Sequence, residues 1–355
     1  MKFLSKLFHA YFEEAAEAGV EERLFRIAGR TVAMRFAGDR WVDTFTRALG
    51  HLLGPTGSPD LTLHVWDGGA RPRNHLLRAY LFTLTNWWFE YTGPRGQLLD
   101  IHSNEMAAMY DPLSGLLSLV DYEGGSGFLW KRDLSEMPYF EICAPARVLL
   151  HAWFRSQSIQ MVHGAAIGTE NGGVLLAGPG GSGKSTSALA CLDSGLRYLS
   201  DDYCMVSRDR SGFRVHSLYG AAKLVDESDF RRLPRLAESV WNVQRAPGEK
   251  LAFFINEQRP EKLIGEFPLS AILVPTITGS HQTALEPCPP AHALEALAPS
   301  TMAQMPSSGA PDLAFMAEMV RRVPCYRLHA GTDVSRIPIA LAELLTPSSA
   351  GCAPG

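Results

Sequence analysis

Apolar and polar residues alternate along most of the first 140 residues, and this alternation predicts short strands. Two strands flank an Ala-Gly-Arg turn within residues 23–37, and "LTLHVWD" continues the pattern. "GQLLDIHS", "EMAAMYD" and "LLSLVDY" follow, separated by turn residues. A helix is predicted from Asp39, as its N-cap, to about Leu53. Residues 1–140 are therefore predicted to form a strand-rich α+β N-terminal domain, to which we assign recognition of an acceptor.

The pattern changes at Pro145, which suits the first turn of a helix in "PARVLLHAWFRSQS". Two apolar strands, "QMVHGAAIG" and "GGVLLAGP", come next, and the second runs directly into a glycine-rich stretch. A helix is predicted after Lys184 with its end at Gly195, followed by the strand "RYLSDDYCMVSRD". The sequence thus predicts an α/β catalytic domain over residues 145–346 and a frayed tail at 347–355.

Three other segments have patterns that need interpretation. The first residues place aromatic and aliphatic side chains on one helical face, which favours a helix packed on its own protein. The pair Trp87-Trp88 is predicted to be a core or interface anchor. The span 287–311, rich in proline and serine, is predicted to be a loop or a helix in mobile surroundings.

The composition narrows the class of protein. Hydrophobic residues make up 46% of the 355, enough for sizeable cores, and the net charge is −4 without a clustered basic stripe. Nucleic acid is therefore not expected as a partner. No continuous apolar stretch is long enough for a membrane span. The six cysteines show no C-x-x-C spacing, which disfavours a zinc site or disulfide framework and indicates a reducing, cytoplasmic location.

The stretch "GPGGSGKST" fits two phosphate-binding fingerprints. Gly178, Gly180 and Gly183 match G-x-G-x-x-G, and the pair Asp201-Asp202 lies about twenty residues further on, where a dinucleotide-binding unit keeps its ribose ligand. That interpretation predicts an oxidoreductase.

The same stretch also matches G-x-x-x-x-G-K-[ST], the P-loop. A lysine and a hydroxyl in the first helical turn suit phosphates and magnesium, because the lysine neutralises charge and the hydroxyl completes the metal shell. A dinucleotide-binding unit needs neither a lysine nor a metal-binding hydroxyl at the positions of Lys184 and Ser185, so the P-loop interpretation is preferred. The predicted nucleotide-binding residues are Gly178, Gly180, Gly181, Ser182, Gly183, Lys184, Ser185 and Thr186.

The acidic pair then acquires a different predicted role. Phosphoryl transfer needs one carboxylate for the metal and one to orient or deprotonate an acceptor hydroxyl. We predict that Asp201 faces the hydroxyl and that Asp202, together with Ser185, binds magnesium. ATP and Mg²⁺ are the implied nucleotide and metal.

The stretch from "VHGAAIG" through "LSDDY" resembles the catalytic domain of the HPr kinase/phosphorylase family, in order and in spacing. The resemblance implies a P-loop kinase core related to phosphoenolpyruvate carboxykinase. It also implies catalytic roles for His163, which would tune the acceptor side, for Lys184, which would bind the phosphates, and for Asp201 or Asp202 as the base.

The chain departs from that family in one segment, since the E-I-R-G-L-G run that supplies a metal ligand and part of the HPr contact is not found. HPr is therefore not the expected acceptor. The rest of the domain resembles looser relatives from bacterial peptide-biosynthesis clusters, which implies a serine of a peptide or protein, with a lasso-peptide precursor as the favoured class. Lys223 and Lys250 are candidates to replace the missing groups, although each also fits a solvated surface lysine.

Two other functions remain open on the sequence. A small-molecule kinase on the same core is one, because acceptor size cannot be read from a P-loop. A nucleotide-regulated binding module with little catalysis is the other. The oligomeric state is also left open, with a homo-oligomer as one alternative.

Overall fold

The structure is a computed structural model that describes residues 2–54, 57–67, 84, 86–306 and 308–346. It is a mixed α/β protein with several sheets. The chain divides into two compact units. Unit 1 is Met1–Gln160 with Met305–Gly309, and unit 2 is Met161–Gln304 with Ala310–Gly355. The domain limits drawn from the sequence at residues 140 and 145 stay a prediction.

Unit 1 contains a six-stranded sheet with the order β1-β2-β3-β6-β5-β4. β2, β3 and β6 are parallel neighbours, whereas β1–β2, β6–β5 and β5–β4 are antiparallel. The strands are β1 Val20–Ile27, β2 Arg30–Ala37, β3 Leu61–Asp67, β4 Met106–Asp111, β5 Leu116–Asp121 and β6 Ser126–Lys131.

Helical segments accompany this sheet. The first helix lies on β2 and β3, and the helix Arg147–Ser156 packs on β4 and β5. The helices of unit 1 include Lys2–Ala18, Val42–Thr46, Tyr139–Cys143, Arg147–Ser156 and a helical stretch at residues 86–91, with 3₁₀ turns at Arg47–Leu52 and Leu134–Glu136.

An aromatic cluster joins the first helix to the sheet. Leu7 and Tyr11 are 0% and 1% exposed, which confirms that this helix docks on its own protein. Phe8 meets the ring of Phe128 edge-on at 4.4 Å, and the ring of His64 stacks on Phe128 at 5.3 Å. Apolar area and aromatic geometry together hold the helix in place.

We expect unit 1 to lose stability at acidic pH, because burial lowers the pKa values of two of its histidines. Burial lowers the pKa of His51 to about 4, and burial with a smaller effect of Arg35 lowers that of His64 to about 4. Because the unfolded histidines titrate near 6.5, their contribution to stability is complete above that pH and is lost as the pH falls toward 4.

We expect the free energy of opening of β3, for His64, and of the turn Arg47–Leu52, for His51, each to fall by on the order of 3 kcal/mol between pH 7 and pH 4. Hydrogen exchange at several pH values measures it. His64→Phe, which keeps the aromatic packing, should show a smaller loss than the wild type. An identical pH dependence in the variant would contradict the assignment.

Unit 2 contains an eight-stranded sheet with the order β11-β10-β7-β8-β14-β16-β15, with β9 paired to β7. β11 also pairs with the start of β14, so β11, β10, β7, β8 and β14 form a closed circuit of paired strands. The strands are β7 Gln160–Thr169, β8 Gly172–Ala177, β9 Arg197–Ser200, β10 Tyr203–Asp209, β11 Gly212–His216, β14 Glu266–Ile277, β15 Ala284–Pro287 and β16 Cys325–Ala330. A separate pair consists of β12 Ala221–Leu224 and β13 Leu251–Phe254.

Helices cover both faces of the central strands. Alternate residues of β7, β8 and β14 enter two apolar clusters, one built with the helices Pro290–Gln304 and Ala310–Arg322, the other with Lys184–Ala190 and Arg336–Leu345. The remaining helical segments are Ile255–Gln258 and the 3₁₀ turns Cys191–Asp193, Glu227–Arg231, Pro234–Ser239 and Pro260–Lys262. Burial on both faces explains why β7 and β8 read as continuous apolar runs.

Several local predictions need correction. Helix begins at Val42 rather than at Asp39 and passes into a 3₁₀ turn, because Trp41 and not Asp39 is the N-cap. "GQLLDIHS" forms isolated bridges and turns instead of a strand. Trp87 and Trp88 are 52% and 37% exposed, so they are not core residues. The proline-rich span is largely the helix Pro290–Gln304, which carries Pro299 inside it, so the loop interpretation is wrong.

Candidate functional site

The sheet of unit 2 brings the predicted site residues to one edge. β8 and β9 are both antiparallel to β7, so they run in the same direction and their carboxyl ends meet. Gly178 follows β8 directly, and Asp201 follows β9. His163 precedes Gly164, which pairs with Ala177 at the end of β8. Three segments that are distant in sequence therefore lie side by side.

The glycine loop has a backbone that requires glycine at specific positions. Gly181 and Gly183 have φ of 80° and 101°, in the left-handed region that side chains disfavour. A Cβ on Gly178 would lie 2.6 Å from the Ser182 hydroxyl, whereas one on Gly180 would meet nothing within 4 Å. Within the described residues, the N–H groups of Gly180, Gly181 and Gly183 donate no hydrogen bond. The loop thus offers backbone donors to an anion.

Lys184 begins the helix Lys184–Ala190 and folds back over the loop. Its Nζ donates to the carbonyls of Gly178 at 2.7 Å and Pro179 at 3.0 Å. The residue is 6% exposed, and burial lowers its pKa, although the charges of Asp201 and Asp202 oppose that shift. The ammonium is therefore held at the loop by neutral acceptors, with both acidic groups nearby.

Ser185 connects the loop to the acidic pair. Its hydroxyl donates to Asp201 Oδ1 at 3.1 Å, and Asp201 Oδ2 accepts the backbone N–H of Lys223 at 3.4 Å. Asp201 is 2% exposed and forms no salt bridge with any described residue. Burial, followed by the charge of Asp202, raises its pKa to about 6. Among the described residues this carboxyl has no salt-bridge partner, and the charge of Lys184 offsets its raised pKa only in part.

Asp202 has the opposite environment. Its Oδ2 contacts the ammonium of Lys223, and its Oδ1 lies 3.6 Å from His163 Nε2. Burial by itself would raise the pKa of Asp202, but Lys223 and His163 outweigh it and hold that pKa well below its usual range. Asp202 also has φ of 64° and its carbonyl accepts the N–H of Gly164. The turn between β9 and β10 therefore points the two carboxylates at different partners.

His163 is held from both sides of its strand. Its backbone N–H donates to Thr301 Oγ1 at 3.0 Å, and its ring lies 5.8 Å from the ring of Tyr203. The side chain is buried, and burial lowers its pKa although Asp202 opposes the shift. Nδ1 has no hydrogen-bond partner among the described residues. A largely neutral imidazole therefore faces Asp202.

Thr186 and Lys250 lie at the margins of this group. Burial raises the pKa of Asp229, and the Thr186 side chain is one of the nearby groups that oppose this shift. Burial lowers the pKa of Lys184, and the charge of Lys250 adds to that effect. Of the two lysines singled out in the sequence, Lys223 enters the site, and the structure gives Lys250 no contact with either aspartate.

The sequence missed two partners from a distant element, Thr301 and Gln304, which lie near the end of a long helix. Lys223, which was a candidate from the sequence, lies on the separate strand β12. Gln304 accepts the hydroxyl of Tyr203. The alternation of side chains in "GAAKLV" could have indicated the orientation of Lys223. Ala222 and Leu224 enter the apolar cluster, so the lysine between them lies on the other face of the strand.

Among the residues that the structure describes, no helix is long and apolar enough to cross a membrane. They also contain no group of three or more histidine, cysteine, aspartate or glutamate side chains able to hold a metal ion. A dedicated all-protein metal cage is thus not found in this part of the chain.

Comparison with known proteins identifies a family and likenesses to solved structures. No curated protein sequence matches the chain. The Hpr(Ser) kinase/phosphatase from Coxiella burnetii is similar at 9% identity, with a TM-score of 0.29, over 52% of this chain and 93% of that chain. The family model described as SynChlorMet cassette protein ScmC matches residues 141–334, more than half of the 355 residues. The chain belongs to this ScmC family of SynChlorMet cassette proteins.

Proposed function

We propose that the protein is an ATP- and magnesium-dependent kinase that transfers the γ-phosphoryl group to a serine hydroxyl of a peptide or protein. The observation that carries the proposal is the contact between Ser185 and Asp201, immediately after the glycine loop and Lys184. A P-loop needs this hydroxyl and carboxylate at one metal position. A dinucleotide fold uses its acidic residue on a ribose instead, so the contact favours the P-loop.

The donor set supports magnesium. Hydroxyl and carboxylate oxygens are hard ligands, and magnesium is commonly bound by one or two carboxylates with water and substrate phosphates. Asp201 is buried without a salt bridge to any described residue, and a cation at Ser185 and Asp201 would compensate its charge. Bound there, magnesium would neutralise charge on the phosphates.

The contacts favour an exchange of the two aspartate roles that the sequence suggested. Asp201 shares a position with Ser185, so we assign it to the metal. Asp202 faces His163 and Lys223, so we assign it to the acceptor. His163 positions the Asp202 carboxylate, while Lys184 and the loop N–H groups bind the phosphates.

The reaction can then be written with these residues. The serine oxygen attacks the γ-phosphorus, and the bond from that phosphorus to the β–γ bridging oxygen breaks. The hydroxyl proton passes to the Asp202 carboxylate, and ADP leaves. The ScmC family is described as a cassette protein, which supports a search for the acceptor among peptides encoded nearby, lasso-peptide-type precursors included.

Calorimetry tests the nucleotide part of the proposal. Purified protein is expected to bind ATP with magnesium and to bind it much more weakly when magnesium is chelated. NAD should show no binding. Binding of NAD with no binding of ATP would overturn the assignment.

A further inference from the structure

Lys223 contacts both members of the acidic pair. Its ammonium meets Asp202 Oδ2, and its backbone N–H donates to Asp201 Oδ2 at 3.4 Å. Its side chain is 11% exposed. We propose, resting on the kinase function above, that Lys223 is a catalytic residue that binds the transferring γ-phosphoryl group, and that Asp202 is its resting partner.

Charge balance supports this assignment. Among the described residues, the ammonium of Lys184 contacts the loop and that of Lys223 contacts the acidic pair, and both bond groups of the protein itself. The phosphates of a nucleotide would add negative charge beside the two carboxylates. These phosphates compete for both ammonium groups, since charge-assisted bonds to phosphate oxygens are strong and a lysine has three donors.

The two lysines lie at different positions in the site, and we assign each to a different phosphate of the nucleotide. Lys184 lies over the glycine loop, on the carbonyls of Gly178 and Pro179. Lys223 lies beyond Ser185, at the carboxylate that we assign to the acceptor. The group in transfer passes between the loop and the acceptor, so the ammonium on the acceptor side meets the γ-phosphoryl group and not the β-phosphate.

The exchange of partners has a mechanistic consequence. When Lys223 moves from Asp202 to the phosphoryl group, it releases the carboxylate for the acceptor hydroxyl. Lys223 leaves Asp202 only when a γ-phosphoryl group competes for its ammonium. Without that group, the salt bridge between Lys223 and Asp202 persists. Lysine suits this role because its charge is carried on a flexible four-carbon stem.

A comparison of two nucleotides tests the inference. Affinities for magnesium AMP-PNP, which has a γ-phosphoryl group, and magnesium ADP, which does not, are measured for the wild type, Lys223→Met and Lys250→Met. We expect Lys223→Met to weaken AMP-PNP binding by about tenfold or more and to change ADP binding by less than about twofold. Lys250→Met should show no such difference between the nucleotides, and Lys223→Arg should restore part of the AMP-PNP affinity.

The outcomes separate this inference from the proposed function. Equal weakening of both nucleotides by Lys223→Met, or no weakening of either, would overturn the Lys223 assignment and leave the kinase proposal standing. If the wild type binds both nucleotides but phosphorylates no hydroxyl, the kinase proposal fails while the γ-specific effect still decides the role of Lys223. A wild type that binds neither nucleotide would overturn both.

Discussion

Replacement of Asp202 by asparagine is expected to lower the rate of phosphoryl transfer by about 10²-fold or more. Asparagine keeps the size of the side chain but cannot accept the hydroxyl proton. The affinity for magnesium ATP should be kept or increased, because this carboxylate faces His163 and Lys223 rather than the glycine loop and its loss frees Lys223 for the γ-phosphoryl group. The rate with saturating peptide and the affinity for magnesium ATP are the two quantities to measure.

Asp201→Asn is the matched comparison, since the two residues are neighbours of equal size. Removal of the carboxylate beside Ser185 should raise the magnesium concentration needed for half-maximal rate, whereas Asp202→Asn should leave that requirement near the wild-type value. If both variants keep wild-type turnover with an unchanged magnesium profile, the pair is structural.

Loss of the Asp202 charge also leaves the shielded Lys223 ammonium without its partner, which can destabilise the fold. The double variant Asp202→Asn/Lys223→Met removes both charges and controls for this effect. Its thermal stability should recover toward that of the wild type while transfer stays low. Recovery of transfer together with stability would show that neither Asp202 nor Lys223 takes part in the transfer.

Lys184→Met is expected to weaken the binding of magnesium ATP by about 10²-fold or more. Methionine keeps the unbranched shape of the chain but removes the ammonium that now bonds the carbonyls of Gly178 and Pro179. Magnesium ADP should be weakened as well, because this ammonium lies over the loop that would hold the β-phosphate. Calorimetry measures both affinities.

Lys250→Met is the control for a general loss of positive charge. Lys250 influences Lys184 through its charge and has no contact with either aspartate in the structure. Its substitution should weaken ATP binding far less than Lys184→Met does. Losses of equal size would mean that the phosphate site has been misplaced.

The strands were predictable because their patterns are local. "LTLHVWD" corresponds to β3 without an error, and the turn at Gly29 lies between β1 and β2 as expected. The helix after Lys184 was predicted correctly in position, although its last part is a 3₁₀ turn. Such elements follow from residue pattern and turn chemistry alone.

Errors occurred where tertiary packing overrides a local signal. Asp39 has the side chain of an N-cap, yet the helix begins later. The prolines and serines of the span 287–311 favoured a loop, but the helix Pro290–Gln304 packs on the sheet and carries Pro299 inside it. The strand drawn through the acidic pair is two strands, because Asp202 turns with a positive φ. Propensity is a weak guide when burial decides the outcome.

The candidate site was only partly accessible to sequence reasoning. Spacing alone grouped Lys184 and Ser185, because they are adjacent on one helix. The roles of Asp201 and Asp202 depend on the partner that each contacts. Asp201 contacts Ser185, whereas Asp202 contacts Lys223 on β12 and His163 on β7. Contacts between elements that are distant in sequence have no local signature, so the assignments of these residues stay predictions.

The most direct measurement is transfer from ATP itself. The purified chain is incubated with magnesium and ATP labelled in the γ-phosphoryl group, together with the peptides encoded by neighbouring genes, and the products are mapped by mass spectrometry. The account predicts label on a serine of one such peptide, little or none on HPr, and label on the peptide that is formed about 10²-fold more slowly with Asp202→Asn. Label on HPr serine with none on any of those peptides, or equal label with Asp202→Asn and wild type, would contradict it.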